Sequence, residues 1–337
     1  TPLVKLLVQF GGCTAPWGFM SNEGAVFAAA ASYGTDMCQN TRDDLVNSKL
    51  IVLWGFNPTD TVQGTNTTWY LAKAREAGAR IVCVDPRFHN TAAVFADTWI
   101  PIRPGTDTAM EVAMAHAILS DGLEDRTFLD RYTVGFAQFR AYVLGTTDGV
   151  PKTPAWAEAI TGVPAATIAR LAHDYAAVKP GALITGFGPG RSAYGEQFHR
   201  AAVALAAMTG NIGVHGGEAA AMADSGEFFG GDTPFKLKTA GRMRTGGNPV
   251  DRASEPRDKV LTARGTLANL RARVNSPKYA DAILQGRAGG FTADYRFLYM
   301  LNANYVNQIP DTHHTLEAFR NLEFFVVQEQ FLTASAR

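Results

Sequence analysis

The residues that could do chemistry in this chain fall in short polar groups, each following an apolar run. Gly55-Phe56-Asn57-Pro58 follows the run beginning at Leu50, Asp85-Pro86-Arg87 follows the run from Arg80, and Arg103-Pro104-Gly105-Thr106-Asp107 follows Thr98–Ile102. Gly186-Phe187-Gly188-Pro189-Gly190-Arg191 follows the run from Gly181, and Asn302-Ala303-Asn304 follows Arg296–Leu301. Most pair a small residue, which lets a ligand approach the backbone, with a polar side chain that can orient it. Asp85 suits a hydrogen bond to a ribose or to the amino edge of guanine. Arg103 and Arg191 can grip diphosphate oxygens in bidentate fashion. Gly105-Thr106 opens a helix, whose first amides favour phosphate. Any one group is also a common tight turn, and Asp-Pro by itself ends many strands. Repetition at successive strand ends is what points to a bound nucleotide. No intact Gly-x-Gly-x-x-Gly opens the first helix, so an ordinary NAD site has little support.

These groups need a scaffold, and the apolar periodicity supplies one. Leu50–Gly55, Arg80–Asp85, Thr98–Arg103 and Gly181–Gly186 read as strands, the first, second and fourth buried. Helical spacing occupies Gln63–Gly78, Thr106–Leu119, Phe128–Tyr132, Pro164–Ala177 and Tyr194–Thr209. Strand and helix in alternation predict an α/β fold, a Rossmann-like doubly wound parallel sheet with helices on both faces. Its ligands then lie beyond the carboxyl ends of the strands. Residues 216–295 are rich in Gly, Ala, Asp and Arg with weak periodicity, and Gly241–Pro256 reads as loop. A second α/β unit follows: strand Arg296–Leu301, helix His313–Arg320, strand Phe324–Gln328.

Composition narrows the function. The 337 residues carry 31 Lys plus Arg against 31 Asp plus Glu, and a net charge of zero excludes binding to nucleic acid by bulk electrostatics. No apolar run approaches the roughly 20 residues that span a bilayer, so direct membrane insertion is not expected. Cys13, Cys38 and Cys83 are spaced too widely for an iron–sulfur or zinc cluster. Cys83, inside a strand, reads as an inert core thiol. Thr1 opens neither a signal peptide nor a recognisable domain start, so the sequence is expected to be an internal portion of a longer protein.

Several longer strings carry a resemblance: residues 47–58 (NSKLIVLWGFNP), 84–87 (VDPR), 99–109 (WIPIRPGTDTA), 208–217 (MTGNIGVHGG) and 322–337 (LEFFVVQEQFLTASAR). Together they resemble the molybdopterin oxidoreductases of the dimethyl sulfoxide reductase family, in order and across nearly the whole chain. The branch they most resemble is the catalytic subunit of anaerobic dimethyl sulfoxide reductase. The resemblance implies a molybdenum or tungsten ion held by two molybdopterin guanine dinucleotides, with oxygen-atom transfer from a small S- or N-oxide in anaerobic respiration. The alternatives are the same cofactor at work on selenate, polysulfide, aromatic dehydroxylation or hydration, or a non-catalytic assembly module that keeps the dinucleotide fold.

The resemblance also implies residues and boundaries. The segment Gly11–Ser21 places Ser21 on the ligating serine, although Asn22-Glu23-Gly24 departs from the family's usual Thr-Ala-Gln; Cys13 and Cys38 are the alternative ligands. Gly55 and Asn57 are implied near one dinucleotide's phosphates, and Asp85 and Arg87 at its ribose or guanine. Arg103, Gly105 and Asp107 close that end. Gly186, Gly188 and Arg191 face the metal-side pterin, and Asn302, Asn304 and Gln328 meet the second dinucleotide. His215 is either a cofactor-loop residue or a structural one. Residues 1–35 are implied to start domain II with the metal-ligand loop, 36–215 to form the Rossmann-like domain III, and 216–337 to complete domain II. A four-iron cluster domain and a closing β-barrel are expected only in the full-length protein, so this portion alone is expected to be inactive and to bind the cofactor weakly or not at all. The full protein is expected to work with an iron–sulfur electron-transfer subunit and a membrane anchor subunit, on the periplasmic or exported face of the membrane.

Overall fold

The computed structural model describes residues 13–17, 21–34, 38–62, 66–220, 273–291 and 293–337. Within them the chain divides into two units, Ser21–Lys236 and a second formed by Thr1–Met20 with Leu237–Arg337. The first element, β1 (Ala15–Trp17), belongs to the second unit.

The larger unit opens with α1 (Glu23–Tyr33), which ends on Gly34 in the left-handed conformation. Then come β2 (Leu50–Trp54), α2 (Thr67–Glu76), β3 (Arg80–Val84), α3 (Asn90–Phe95), β4 (Thr98–Ile100) and α4 (Asp107–Ser120). Three helices, α5 (Arg126–Tyr132), α6 (Phe136–Val143) and α7 (Pro154–Thr161), precede α8 (Ala165–Ala177), β5 (Gly181–Thr185) and α9 (Glu196–Met208). The four strands form a parallel sheet in the order β4-β3-β2-β5, the α/β architecture expected. The inner strand β2 and the terminal strand β5 are both buried along their full length, as strands covered on both faces must be.

Alternate side chains of these strands enter two cores. Leu50, Val52, Trp54, Val82, Val84 and Leu183 pack with residues of α4, α8 and α9. Ile51, Leu53, Ile81, Ala182 and Ile184 pack with Leu71, Ala74 and Phe95 on the other face. Each fully buried Leu or Ile contributes roughly 1.5–3 kcal/mol. Several boundaries differ from the sequence reading, and two of them have a plain cause. β4 stops at Ile100 rather than Arg103, because Pro101 cannot donate to the ladder. α9 starts at Glu196 rather than Tyr194, because Tyr194 has φ +59° and so cannot sit in a right-handed turn.

The second unit contains β6 (Arg273–Asn275), paired parallel with β1, then α10 (Tyr279–Gln285), β7 (Phe297–Leu301), α11 (Tyr305–Gln308), α12 (Thr312–Arg320) and β8 (Phe324–Gln328). β7 pairs parallel with β8, and Ala280, Ile283 and Ala318 form a small core with Phe319 and Leu322. Among the described residues of 216–295, a stretch read from sequence as irregular, lie the strand β6 and the helix α10. The Gly241–Pro256 loop lies outside the described residues.

Candidate functional site

Because β2, β3, β4 and β5 are parallel and adjacent, their carboxyl ends share one edge. At the ends of β2 and β5 the backbones nearly touch. A Cβ on Gly186 would lie 1.8 Å from the Gly55 carbonyl oxygen, and Gly55 itself has φ +60°. Both positions therefore require glycine.

Beyond β2 and β3 a polar network forms. Asn57 Oδ1 accepts from the hydroxyls of Thr59 (3.0 Å) and Thr91 (2.7 Å). Asp60 accepts from the side-chain amides of Asn57 (2.8 Å) and Asn90 (2.6 Å) and from the Arg87 guanidinium (3.0 Å). These bonds hold the Asp60 carboxyl below the usual range. Asp85 Oδ1 accepts from the Arg87 amide at 2.8 Å, and the Asp85 carbonyl accepts from the Trp99 indole at 2.9 Å. The structure thus brings Gly55, Asn57, Asp85 and Arg87 to one sheet edge. Sequence reasoning missed Asp60, Asn90 and Thr91, which organise them.

Cys83 Sγ and Asp85 Oδ2 both lie beside His89 Nε2, at 3.6 Å and 3.4 Å. The Ala92 amide donates to His89 Nδ1, which leaves the ring proton on Nε2. The ring therefore cannot accept the thiol proton, and burial with the Asp85 charge lifts the Cys83 thiol to about 12. Cys83 is inert, and His89 caps α3.

After β4, Arg103 donates to the Ile160 carbonyl at 2.5 Å, at the end of α7. Asp107 is buried, and its Oδ1 accepts from the Trp54 indole at 2.9 Å. Gly105, Asp107 and Thr108 at the start of α4 line a pocket of ≈ 250 Å³ with Pro189, Tyr194 and Gln197 from the segment after β5. That segment also meets Ser21: the Arg191 Nε–H donates to the Ser21 carbonyl at 2.8 Å. Ser21 itself is exposed, immediately ahead of α1.

The remaining assignments divide between the two units. Cys38, half-buried, lies in the unit of Ser21; Cys13, half-buried with its thiol pushed up by burial, lies in the other. In that second unit Asn302 (φ +51°) follows β7, and its amide donates to the Gln328 carbonyl at 3.2 Å. Gln328 Oε1 accepts from the Tyr299 hydroxyl at 2.7 Å, and Asn304 Oδ1 accepts from the Ser335 hydroxyl at 2.6 Å. His215 is exposed and bonds Asp44 at 3.0 Å, a structural contact.

Residues 3–337 match the molybdopterin oxidoreductase family. The chain belongs to that family. It is 33% identical to the probable dimethyl sulfoxide reductase chain YnfF of Escherichia coli over 99% of its own length and 41% of that protein's. It is 40% identical to the dimethyl sulfoxide reductase DmsA of the same organism over 66% of this chain and 29% of DmsA. Against the trimethylamine-N-oxide reductase of Haemophilus influenzae it is 41% identical over 51% of this chain and 22% of that protein. The chain therefore spans less than half the length of these relatives. Among solved structures, acetylene hydratase from Pelobacter acetylenicus shares the fold with a TM-score of 0.68 at 18% identity, over 99% of this chain and 45% of that one.

The family implies a molybdenum–molybdopterin cofactor, and the residues present fit such a group. A Cβ on Gly188 or Gly105 would meet nothing within 4 Å, so the loops after β5 and β4 leave open room for a ligand beside the polar groups. Asn22 Oδ1, next to Ser21, is buried with no hydrogen-bond partner among the described residues, an acceptor suited to the N–H groups of a pterin. Asn22, Tyr194, Trp54 and the buried His199 escaped sequence reading. The positive φ of Tyr194 has no sequence signal beyond the glycine that follows it.

Proposed function

We propose that this chain is the dinucleotide-cradling part of an oxide-reducing molybdenum enzyme that carries bis-molybdopterin guanine dinucleotide and acts on S- or N-oxides such as dimethyl sulfoxide. The observation that carries this reading is the meeting of the Ser21 turn with the glycine-rich loop after β5, at the same sheet edge as the Asn57–Asp85–Arg87 network. The names of the relatives support the substrate class. When bound, the cofactor supplies the oxygen-atom transfer, and its reset draws on electrons from elsewhere.

The chain's own residues bind and orient. Ser21 offers its side-chain oxygen to the metal, with Cys13 and Cys38 as alternative thiolate donors. Gly55, Asn57, Asp85 and Arg87 hold one nucleotide end, where Asp60 fixes the guanidinium. Arg103, Gly105 and Asp107 border that ligand at the start of α4, where helix amides favour its phosphates. Gly186, Gly188 and Arg191 border the pterin side, and Asn302, Asn304 and Gln328 serve the second dinucleotide. For the whole protein we propose an iron–sulfur cluster domain, an iron–sulfur electron-transfer subunit with a membrane anchor, and a place on the exported face of the membrane; these rest on the family resemblance. Among the described residues, no helix is long and apolar enough to cross a membrane.

The test is a panel of S-oxides and N-oxides on full-length, cofactor-loaded protein, with Ser21→Ala beside the wild type. Loss of more than about 100-fold in kcat, together with a changed metal spectrum, is expected, since even groups behind a metal ligand contribute 10–100-fold. An unchanged spectrum removes Ser21 as the ligand. A second reading, another substrate on the same cofactor, is favoured by Asn22-Glu23-Gly24, and turnover of selenate or polysulfide with no turnover of oxides would select it.

A further inference from the structure

Arg191 is well suited to gripping phosphate, yet its Nε–H is spent on protein, on the carbonyl of Ser21. The surroundings show how closely that contact is built. A Cβ on Gly24 would lie 2.7 Å from the Gly190 carbonyl oxygen and 3.3 Å from the Glu196 amide nitrogen. A Cβ on Gly195 would lie 2.6 Å from the same Gly190 carbonyl, and one on Gly190 would lie 2.5 Å from His199 Nε2. The start of α1 is therefore pressed onto the loop 189–195 at Gly24, and the loop is packed as closely on itself at Gly195 and on α9 at Gly190, with no room for a methyl group at any of the three.

The floor of this seat is rigid. His199 is fully buried on α9, and burial drops its pKa to about 3, so it is neutral. Its Nδ1 lies 3.3 Å from the Thr185 hydroxyl, which in turn donates to the Ala220 carbonyl. The loop is stiffened from within: the Arg191 amide donates to Gly188, the Ser192 hydroxyl to Pro189 and the Gly195 amide to Ser192. A guanidinium mounted on such a loop fixes the plane of the Ser21–Asn22 peptide, and with it the direction in which the Ser21 side chain leaves the backbone. Its planar fork gives that bond a direction a lysine would not.

We propose that Arg191 is a positioning residue: it clamps the Ser21 backbone against the loop 189–195 and so sets where the Ser21 oxygen stands. This rests on the reading of Ser21 as the metal ligand. The clamp acts through Ser21, and Arg191 itself need not touch the cofactor.

The test uses the full-length, cofactor-loaded protein in four variants: Arg191→Met, Arg191→Lys, Gly24→Ala and Ser21→Ala. Four readouts are taken: molybdenum and pterin content, the metal absorption spectrum, hydrogen exchange of amides 22–26, and steady-state kcat and KM. Arg191→Met is expected to keep its cofactor, shift the metal spectrum and speed exchange at the start of α1 about 10-fold, the equivalent of one lost hydrogen bond. Its kcat should fall about 10- to 100-fold with KM little changed, as for a misplaced reacting group. Arg191→Lys should recover part of each effect. Gly24→Ala, which keeps Arg191 but lifts the turn off its seat, should reproduce the spectral shift; it also covers the case in which an Arg191 variant does not fold. A wild-type spectrum and wild-type exchange in both Arg191→Met and Gly24→Ala would overturn the proposal. So would loss of cofactor in Arg191→Met with a normal spectrum in the loaded remainder, because Arg191 would then grip the cofactor directly. If Ser21→Ala leaves the spectrum unchanged, the ligand reading fails and takes the clamp's purpose with it. A changed Ser21→Ala spectrum with an unchanged Arg191→Met spectrum defeats the clamp alone.

Discussion

The indole N–H of Trp54, the last residue of β2, donates to Oδ1 of Asp107, the first residue of α4, at 2.9 Å. Both groups are buried, so this bond ties the start of a core helix to the end of the central strand. Burial raises the Asp107 carboxyl, while the indole and the amides of Gly105 and Asp107 pull it back down. Asp107→Ala leaves the indole donor without an acceptor and is expected to cost about 1–3 kcal/mol. Asp107→Asn keeps an acceptor and should cost less than half of that. Urea unfolding followed by tryptophan fluorescence measures both, and equal losses would mean that the bond is not the cause.

One turn further along α4, Glu111 is fully buried, and neither carboxyl oxygen has a hydrogen-bond partner among the described residues. Burial first, and then the nearby Asp107, hold its proton well above the usual carboxylate range. A raised acid is most stabilising below its unfolded pKa and loses that contribution as pH climbs through the folded value. Glu111→Leu removes the unpaired polar group and should stabilise the protein by about 1–3 kcal/mol at neutral pH. It should also flatten the fall in stability toward alkaline pH. A destabilised Glu111→Leu would show that a partner for the carboxyl exists.

Gly186 offers a steric test of the sheet edge. A methyl group there would sit 1.8 Å from the Gly55 carbonyl oxygen, so β2 and β5 must part at their carboxyl ends. Gly186→Ala is expected to cost about 1–3 kcal/mol, the usual penalty of overpacking. Gly188→Ala, whose Cβ meets nothing within 4 Å, should leave folding stability near wild type. Thermal unfolding of the pair separates crowding from any general intolerance of the loop.

Much of the larger unit was legible because its signals are local. The run at Leu50 is apolar throughout and that at Gly181 is apolar but for Thr185, and both became strands buried throughout. The start of α7 was legible too and went unread: the Thr153 hydroxyl accepts from the Trp156 amide, Pro154 follows it, and Gly162 ends the helix. The strand-end groups were found by rule, since parallel strands must present their carboxyl ends together. The fixing contacts were not legible, because they join residues distant in sequence. Arg191 to Ser21 spans 170 positions, and Arg87 to Asp60 spans 27. The Cys83–His89–Asp85 cluster shows the opposite danger, in which residue types brought together suggest a nucleophile and one backbone amide forbids it.

Glu218 gives the sharpest pH prediction. Its carboxyl is buried and accepts from the amides of Asn40 (3.2 Å) and Ala219 (2.9 Å), so it ties the chain at 38–42 to the segment after α9. Burial lifts its pKa from 4.5 to about 7; the Arg42 charge and the two amides pull it down, and Asp44 pushes it up. The folded carboxyl thus holds its proton more tightly than the unfolded one. Its contribution is complete below about pH 4.5 and is lost as pH rises to about 7. At about 1.4 kcal/mol per pH unit the full amplitude is on the order of 3 kcal/mol. Glu218→Gln keeps an acceptor for both amides and does not titrate, so its stability should not share this decline. Melting temperatures of both proteins across pH 4.5 to 7.5 decide the matter, and parallel curves would place the titration elsewhere.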